Sequence, residues 1–341
     1  MKIIVDAFGG DRSPAAVVEG AALAVGEYDD IEIILTGNRE TLLQELKRQG
    51  VSSDRIDIRD ASGVITVEED PFEIRRSKKD SSMGVGLRLL VDGTGDAFVS
   101  AGSTGALAVG SSFVVRRLKG VRRAALAPTL PSSKGSFLLL DAGANLDCRP
   151  ETLLQFAVMG SVYMRCVFGM QQPRVGLVNV GEEPTKGTEA HQEAYRLLQD
   201  SPFLHFVGNI EARSLPLGVC DVAVADGLSG NMILKTMEGM GRFFVDMLKD
   251  LFLKNPKTKL AAGLLYRDLN QLRRQMDYTE YGGAIFLGAS RPVVKAHGSS
   301  DANAFKNAIR QARACVDSNI IEEMKLGLNK ISDREKDYER V

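Results

Sequence analysis

The sequence predicts an α/β fold, a three-layer α/β/α sandwich built on a mostly parallel, doubly wound sheet. Short apolar runs alternate with helical patterns along most of the 341 residues, which is typical of βαβ units. Most of these runs are rich in Val, Ile and Leu without polar alternation, as strands covered on both faces are. In such sheets ligands bind beyond the carboxyl ends of the strands, so function is sought in the loops that follow them.

Eight apolar runs are predicted as strands: Ile3 to Val5, Ile31 to Leu35, Ala97 to Ser100, Phe137 to Leu140, Val175 to Asn179, His205 to Gly208, Val222 to Ala225 and Val293 to Ala296. Eight amphipathic or apolar segments are predicted as helices: Pro14 to Val25, Arg39 to Gln49, Met83 to Leu90, Thr104 to Val115, Glu151 to Phe168, Thr188 to Gln199, Asn231 to Leu253 and Asp301 to Cys315. No repeat or low-complexity linker interrupts this order. We therefore predict a single catalytic domain over residues 1–330 and a charged C-terminal tail at 331–341.

Composition and charge exclude some classes of function. The formal net charge is -1, so no general attraction to nucleic acid is indicated. The four cysteines show no CxxC spacing, which is typical of a reducing compartment. No uninterrupted apolar stretch reaches the roughly 18 to 20 residues that span a bilayer. The chain opens on a strand pattern rather than a signal peptide, and a cytoplasmic protein is predicted.

The most informative stretch is residues 221–236, where an apolar strand runs into a glycine-spaced turn and then into a helix. Backbone amides at such a turn and the positive end of the helix favour phosphate or carboxylate. Gly227 and Gly230 permit close approach of the backbone to a ligand, and Asn231 and Lys235 add side-chain donors. This pattern predicts an anion-binding site.

Five further post-strand loops, beginning at Asp6, Ser100, Asp141, Asn179 and Lys295, are also rich in Gly, Ser and Asn. Taken singly, each is a tight turn whose Asp or Ser caps the next helix. Since the carboxyl ends of parallel strands meet at one edge of a sheet, we expect the loops to form one cavity with Lys186, Lys235, Lys295 and His297 as its cations. The other binding residues predicted there are Asp6, Gly9, Gly10, Gly102, Ser103, Thr104, Gly105, Asn145, Asp226, Gly227, Gly230, Gly298 and Ser299.

Several kinds of site are not indicated. The chain has no GxxxxGK[ST] motif and no GxGxxG spacing after its first strand, so no dinucleotide cofactor is expected. Its three histidines lie far apart in sequence and no zinc site is predicted, although Glu182 and Glu183 could hold magnesium weakly. There is no GxSxG elbow. Cys148, beside Arg149, is interpreted as structural rather than as a thiolate, because no histidine is near it in sequence.

Taken in order, these loops resemble the bacterial phosphate acyltransferase family, the PlsX-type acyl-acyl-carrier-protein:phosphate transacylases. The match runs through most of the chain. It rests on Val5-Asp6-Ala7-Phe8-Gly9-Gly10-Asp11, Ser100-Ala101-Gly102-Ser103-Thr104-Gly105-Ala106, Asp141-Ala142-Gly143-Ala144-Asn145-Leu146-Asp147-Cys148, Gln155-Phe156-Ala157-Val158-Met159-Gly160, Lys186-Gly187, Asp226-Gly227 with Gly230-Asn231, and Lys295-Ala296-His297-Gly298-Ser299-Ser300-Asp301. Departures are minor: Phe8 stands where Met is common, and Leu228-Ser229 replaces the more usual Phe-Thr.

The resemblance implies transfer of a long-chain acyl group from acyl carrier protein to inorganic phosphate, without an organic cofactor. The acyl phosphate would feed a membrane-bound glycerol-phosphate acyltransferase in phosphatidic acid synthesis. The resemblance also implies an architecture like that of isocitrate and isopropylmalate dehydrogenases, and a homodimer that associates peripherally with membranes.

Three residues are predicted to be catalytic. As a hypothesis, Lys186 and Asn231 orient phosphate and stabilise the tetrahedral adduct, while His297 positions phosphate or protonates the departing thiolate. Two alternatives remain at this point. His297 is also consistent with a buried hydrogen-bonding histidine, and Lys186 with a solvated loop lysine.

Two surfaces suggest partners. The basic residues Arg116, Arg117, Lys119, Arg122 and Arg123 could steer an acidic carrier protein or form a solvated helix end. From about 242 to 276 the pattern predicts a protruding helical hairpin with excess apolar surface. Its basic residues are Lys254, Lys257, Lys259, Arg267, Arg273 and Arg274. Such a hairpin packs in a dimer, docks an acyl chain or lies on anionic lipid, and we predict a dimer tip that touches lipid.

Two other functions compete with this prediction. A short-chain phosphate acetyl- or butyryltransferase shares the phosphate chemistry but takes coenzyme A thioesters. A non-catalytic scaffold would recruit lipid-synthesis proteins to the membrane and would not depend on Lys186 or Asn231. The apolar hairpin favours a long acyl chain and a protein carrier.

Overall fold

The computed structural model of the chain describes residues 1–52, 54–270 and 278–338. Within them one sheet contains eleven strands: β1 Lys2–Asp6, β2 Glu32–Gly37, β3 Ile56–Asp60, β4 Ala97–Ser100, β5 Ala125–Ser132, β6 Gly135–Leu140, β7 Arg174–Val178, β8 His205–Ile210, β9 Val222–Val224, β10 Ala284–Leu287 and β11 Val293–Lys295. The α-helices are α1 Ala15–Glu27, α2 Arg39–Arg48, α3 Ser82–Val91, α4 Thr104–Val109, α5 Pro150–Phe168, α6 Glu189–Gln199, α7 Gly227–Leu253, α8 Pro256–Leu264, α9 Ala302–Asp317 and α10 Ile320–Tyr338. All eight predicted strands and all eight predicted helices are present.

The side chains of the sheet alternate between two layers of helices. In β1, Ile3 and Val5 join a buried cluster with α1 and α9, whereas Ile4 joins another cluster with α3 and α4. In β6, Leu138 packs toward α5 and Leu139 packs on the opposite face of the sheet. Helices therefore cover both faces, and the predicted three-layer α/β/α class is confirmed.

The strand order is β3-β2-β1-β4-β11-β10-β5-β6-β9-β7-β8. Among the described strands seven neighbouring pairs are parallel, and the pairs around β10 and β5 are antiparallel. Strands β1 to β4 and β11 consequently run one way, while β6 to β9 run the other way. The sheet is doubly wound, but it consists of two parallel groups of opposite direction.

This arrangement corrects the expectation that all the loops meet at one edge of the sheet. The loops after β11 and β6 lie close together because the two groups of strands are attached to different halves of β5. The carboxyl end of β11 is level with Pro128, since Lys295 pairs with Ala284 and Ala284 pairs with Pro128. The carboxyl end of β6 reaches the same region of β5, where the Ala142 amide donates to the Leu126 carbonyl at 2.9 Å. The two sets of carboxyl ends thus face each other across the middle of β5.

Strand β5 was not predicted because it contains two prolines, which usually exclude a central strand. Its first half pairs only with β10 and its second half only with β6. Each half is therefore an edge in terms of hydrogen bonding, and an edge tolerates the missing amides of Pro128 and Pro131. Strands β3 and β10 were also missed.

Two helix boundaries differ from the prediction. Helix α7 begins at Gly227 rather than Asn231, because the Asp226 side chain accepts from the Ser229 amide and caps the helix one turn earlier. The predicted helix from Thr104 to Val115 is α-helical only to Val109 and continues as a π-helix over Gly110–Val114.

Helices α7 and α8 form the predicted protruding hairpin. In α7 only Gly227, Gly230 and Leu234 are buried, and α8 buries no residue. The exposed apolar side chains include Met240, Phe243, Phe244, Met247, Leu251, Leu253, Leu260 and Leu264. The end of the predicted hairpin, including Arg273 and Arg274, lies outside the described residues. Within the described part of the chain, no helix is long and apolar enough to cross a membrane.

Candidate active site

The loops after β1 and β4 are joined by a buried carboxylate. Asp6 accepts from the Ser100 hydroxyl at 2.7 Å, and that hydroxyl accepts from the Gly102 amide at 3.0 Å. A Cβ atom on Gly9 would lie 2.5 Å from the Asp6 carboxylate and 2.6 Å from the Gly102 nitrogen, so this position requires glycine. Burial raises the pKa of Asp6. These residues hold the two loops together rather than lining an open site.

The loop after β11 joins the same network. The Gly298 carbonyl accepts a hydrogen bond from the Asp11 amide at 2.8 Å. The residue before Asp11 is Gly10, whose φ of +126° favours glycine. Ser103 caps α4 by accepting from the Ala106 amide at 3.4 Å. Gly10, Ser103 and Gly298 therefore serve the architecture of the loops.

A second network orders the loop after β6. The buried Asp141 carboxylate accepts from the amides of Leu126 at 2.9 Å, Ala144 at 3.1 Å and Asn145 at 2.6 Å. The Asn145 side chain donates to Asp141 at 2.9 Å and to the Ala124 carbonyl at 2.8 Å. Asn145 is thus occupied in tying the loop after β6 to the start of β5.

The first turn of α7 is pressed against this loop. The Gly227 amide donates to the Asn145 carbonyl at 2.7 Å, and a Cβ atom on Gly230 would collide with the Asp141 carbonyl. Asp226 caps the helix and also accepts from the Ser229 hydroxyl at 2.8 Å. These glycines let the helix approach the sheet closely enough for its next residues to reach the space between the loops.

That space is a cavity of about 770 Å³. It is lined by Pro71, Phe72, Thr104, Gly105, Ala108, Val109, Leu126, Pro128, Thr129, Ala142, Gly143, Ala144, Leu146, Asn231, Leu234, Lys235, Glu238, Gly282, Gly283, Ala284, Lys295, Ala296 and His297. Six predicted site residues line it: Thr104, Gly105, Asn231, Lys235, Lys295 and His297. The other predicted binding residues hold the loops that surround it.

Lys295 is the buried cation of the cavity. Its ammonium group donates to the carbonyls of Ala101, at 3.3 Å, and Ala296. Burial, together with the charge of Lys235, lowers the pKa of Lys295 to about 8. No ion pair involves Lys295 among the described residues, so an anion bound in the cavity would compensate a buried charge.

One face of α7 contributes three polar side chains to the cavity. Asn231, Lys235 and Glu238 are spaced by four and three residues, which places them on the same side of the helix. Lys235 forms an ion pair with Glu238 at 2.8 Å. Glu238 was not predicted, although its spacing from Lys235 was a signal in the sequence. The side chain of Asn231 also lies against Gly143, whose φ is +126°.

His297 lies beside these cations. Its Nδ1 atom accepts from the Ser299 amide at 3.2 Å and lies 2.8 Å from the Ser299 hydroxyl oxygen. An Nδ1 acceptor leaves the proton of the neutral ring on Nε2. Burial lowers the pKa of His297, and the charges of Lys295 and Lys235 lower it as well. The ring is therefore suited to donate a hydrogen bond in its neutral form. We refer to the ammonium groups of Lys235 and Lys295, together with the neutral His297 ring beside them, as the cation cluster.

Lys186 lies elsewhere. It is exposed in the loop after β7 and is not among the residues that line the cavity. Its carbonyl accepts from the Asn179 side chain at 3.1 Å, and its amide donates to the Glu183 carbonyl at 3.1 Å. The role of Lys186 stays a prediction.

The sequence did not reveal the apolar part of the cavity. Phe72 comes from a 3₁₀ turn, Pro71–Arg75, while Ala108 and Val109 come from the last turn of α4. We refer to Phe72, Ala108 and Val109 as the apolar wall. These residues carry no motif, and only the packing of the 3₁₀ turn on α4 brings them together.

The geometry of the site does not favour thiolate or metal chemistry among the described residues. Burial raises the pKa of the Cys148 thiol to about 12, so the thiolate is scarce near neutral pH. The interpretation of Cys148 as structural agrees with this. Among the described residues, no group of three or more His, Cys, Asp or Glu side chains is placed to hold a metal ion.

Comparison with known proteins identifies the family. A family model described as "Fatty acid synthesis protein" matches residues 1–323. The phosphate acyltransferase of Clostridium botulinum (strain Loch Maree / Type A3) is 48% identical over 331 residues, which cover 97% of this chain and 98% of that relative. The chain belongs to the phosphate acyltransferase family. The phosphate acyltransferase of Alkaliphilus oremlandii is 47% identical over 335 residues, covering 98% of this chain and 99% of the relative. The predictions of the family and of an acyltransferase are confirmed.

Solved structures share the fold with this member of the phosphate acyltransferase family. A phosphotransacetylase from Streptococcus pyogenes matches with a TM-score of 0.63 and 18% identity, covering 94% of each chain. A branched-chain phosphotransacylase from Enterococcus faecalis V583 matches with a TM-score of 0.54 and 13% identity, covering 93% of this chain and all of that one. These matches support the α/β architecture.

Proposed function

We propose that this enzyme transfers a long-chain fatty acyl group from acyl carrier protein to inorganic phosphate, giving acyl phosphate for the synthesis of phosphatidic acid. One observation carries the proposal: a single cavity combines a cation cluster with an apolar wall. Phosphate needs cations and hydrogen-bond donors, whereas a fatty acyl chain needs apolar surface. A volume of about 770 Å³ leaves room for a chain much longer than acetyl beside the phosphate.

The cation cluster suits the phosphate. Lys295 lies deepest and supplies a buried ammonium, while Lys235 supplies a second charge from the face of α7. In the proposed reaction a phosphate oxygen attacks the thioester carbonyl carbon. Asn231 and the neutral His297 donate hydrogen bonds to the phosphate and to the oxyanion of the adduct.

The adduct then collapses and the carbon–sulfur bond breaks. The electron pair leaves with the carrier thiolate, which takes a proton from solvent, and acyl phosphate remains. A thiolate is a fair leaving group, because thiols have pKa values of about 8.5. The low pKa of His297 therefore fits a hydrogen-bond donor better than a general acid.

The basic residues Arg116, Arg117, Lys119, Arg122 and Arg123 provide a docking surface for the acidic carrier protein. All five are exposed, and the run ends one residue before Ala124. Asn145 binds the Ala124 carbonyl, and its neighbour Leu146 lines the cavity with 71% of its surface exposed. The basic run thus reaches the rim of the cavity, where a carrier-bound thioester would enter.

The α7–α8 hairpin is proposed as the contact with a second copy of the chain and with anionic membrane. It presents exposed apolar residues, such as Leu260 and Leu264, among the lysines 254, 257 and 259. Contact with the membrane would bring the acyl phosphate close to a downstream membrane-bound glycerol-phosphate acyltransferase. Peripheral membrane association belongs to the same proposal.

The decisive experiment incubates the purified protein with palmitoyl-acyl carrier protein and inorganic phosphate. We expect phosphate-dependent release of free carrier protein and formation of palmitoyl phosphate, both measured by mass spectrometry. Acetyl- and butyryl-coenzyme A are tested in parallel. Turnover of these short donors without turnover of the carrier substrate would replace the proposal by a short-chain phosphate acyltransferase. Absence of turnover with every donor would refute both.

A further inference from the structure

The apolar wall is continuous with a buried hydrophobic cluster. Leu126, which lines the cavity, belongs to the cluster around Phe98 and Leu87, and both Ala108 and Val109 pack against that cluster. A wall supported by a packed core cannot shift to admit a larger ligand without cost. The width of the cavity at this wall is therefore set by the side chains that form it.

Helix α4 leads away from the cation cluster. Ser100, at the carboxyl end of β4, pairs directly with Lys295, and α4 begins four residues later at Thr104. Since a helix rises 1.5 Å per residue, Ala108 lies about 6 Å further along the axis than Thr104. An acyl group whose carbonyl is at the cation cluster would thus meet Ala108 and Val109 some distance along its chain.

The 3₁₀ turn Pro71–Arg75 lines the cavity opposite α4 and is held in place by contacts with that helix and with Phe113. A Cβ atom on Gly105 would lie 2.8 Å from Pro71, so the turn is seated on α4 without a gap. The Phe72 ring lies 6.1 Å from the Phe113 ring, and the Arg75 guanidinium stacks over Phe113 at 4.8 Å. These contacts hold Phe72 opposite the last turn of α4.

We propose that the apolar wall is the acyl-chain subsite, and that Ala108 and Val109 determine how long a chain the enzyme accepts. This inference rests on the proposed function. Each methylene that the wall buries strengthens binding by about fourfold. A large side chain at position 108 would fill the part of the cavity beside the apolar wall, whereas a smaller side chain at position 109 would enlarge that part.

The test compares three variants with the wild type: Ala108→Phe, Val109→Ala and the size-matched control Ala108→Ser. Butyryl-, octanoyl- and palmitoyl-acyl carrier protein serve as donors with phosphate, and kcat/KM is measured for each. For Ala108→Phe we expect the ratio of the palmitoyl value to the butyryl value to fall by about tenfold or more. Val109→Ala should raise the palmitoyl value relative to the butyryl value, and Ala108→Ser should leave the ratio unchanged.

Circular dichroism establishes that the variants are folded. Ala108 is only partly buried and faces open volume, so the phenylalanine ring has space to occupy. Folded Ala108→Phe and Val109→Ala proteins with the wild-type ratio of palmitoyl to butyryl turnover would overturn the subsite while leaving the proposed function intact. If the wild type gives no acyl phosphate, the binding of palmitic and butyric acid is measured by calorimetry, which tests the subsite separately. Ala108→Phe should then weaken the binding of palmitic acid and not that of butyric acid.

Discussion

The first turns of α7 and its distal half share one continuous helix but have opposite surroundings. At the near end Gly227, Gly230 and Leu234 are buried against the sheet, and the polar residues that follow line the cavity. At the far end Phe243 is 57% exposed and Leu251 is 55% exposed. Packing fixes the near end for chemistry, whereas the apolar far end is suited to a partner surface. The difference indicates that turnover and surface binding can be separated by mutation.

The strongest test of the near end is Lys295→Met, which keeps the volume and removes the charge. We expect kcat/KM for phosphate to fall by about 100-fold or more, because a buried cation that contacts the developing anion is lost. The free energy of unfolding should stay equal or rise, since the cost of burying an unpaired ammonium disappears. Steady-state kinetics and urea unfolding measure the two effects. Unchanged kinetics would exclude Lys295 from phosphate binding.

Lys186 provides a smaller and sharper test, because it is exposed and lies outside the cavity lining. If it takes part in catalysis, Lys186→Ala should lower turnover by about tenfold and change the free energy of unfolding by less than about 0.5 kcal/mol. The matched control is Lys47→Ala, which removes an exposed lysine of α2. Equal turnover in the two variants would remove Lys186 from the mechanism.

The pH dependence follows from Lys295. Its pKa is about 8 in the folded protein against an ordinary value of 10.5. The ammonium is lost as pH rises through about 8, so the Kd for phosphate should increase by about tenfold per pH unit above that value. Stability changes in the opposite direction. Between about pH 8 and 10.5 the unfolded chain binds the extra proton, so the contribution of Lys295 to stability should rise with pH.

Calorimetric titration with phosphate and urea unfolding at several pH values check this pair of trends. The Lys295→Met protein is the control, and the difference between it and the wild type at each pH isolates the contribution of Lys295. A wild-type phosphate affinity that is constant from pH 7 to 9 would contradict the assignment.

The smallest effect on turnover is expected at the far end of α7 and in α8. The double variant Leu260→Glu and Leu264→Glu places charges at two residues that are 70% and 81% exposed. We expect binding to anionic liposomes to fall by about tenfold or more, since each buried leucine contributes about 1.5–3 kcal/mol. Turnover of a soluble carrier substrate should stay within about twofold. Undiminished sedimentation with liposomes would refute the proposed membrane contact.

Much of the site could be anticipated because its residues follow strands. Asn231, Lys295 and His297 each come at or soon after the end of an apolar run that is buried on both faces, which is where the ligand-binding loops of parallel strands begin. Strands β9 and β11 run in opposite directions, so the meeting of these residues in one cavity depends on the offset along β5 and not on a parallel sheet. The glycines around these residues could also be predicted from the sequence. Gly227 and Gly230 lie where the helix approaches the loop after β6 too closely for a Cβ atom. Glu238 was missed although its position three residues after Lys235 is typical of an ion pair on a helix.

The sequence by itself determined the alternation of strands and helices, the family, and the loops that carry polar residues, because periodicity and motif order are local properties of the chain. Only the tertiary structure decided which loops share a cavity. Strand β5, concealed by Pro128 and Pro131, offsets two groups of strands that run in opposite directions, so that their carboxyl ends meet. The tertiary structure also placed Phe72 against the last turn of α4 and left Lys186 outside the cavity lining. These outcomes depend on contacts between residues far apart in sequence, which no local pattern encodes.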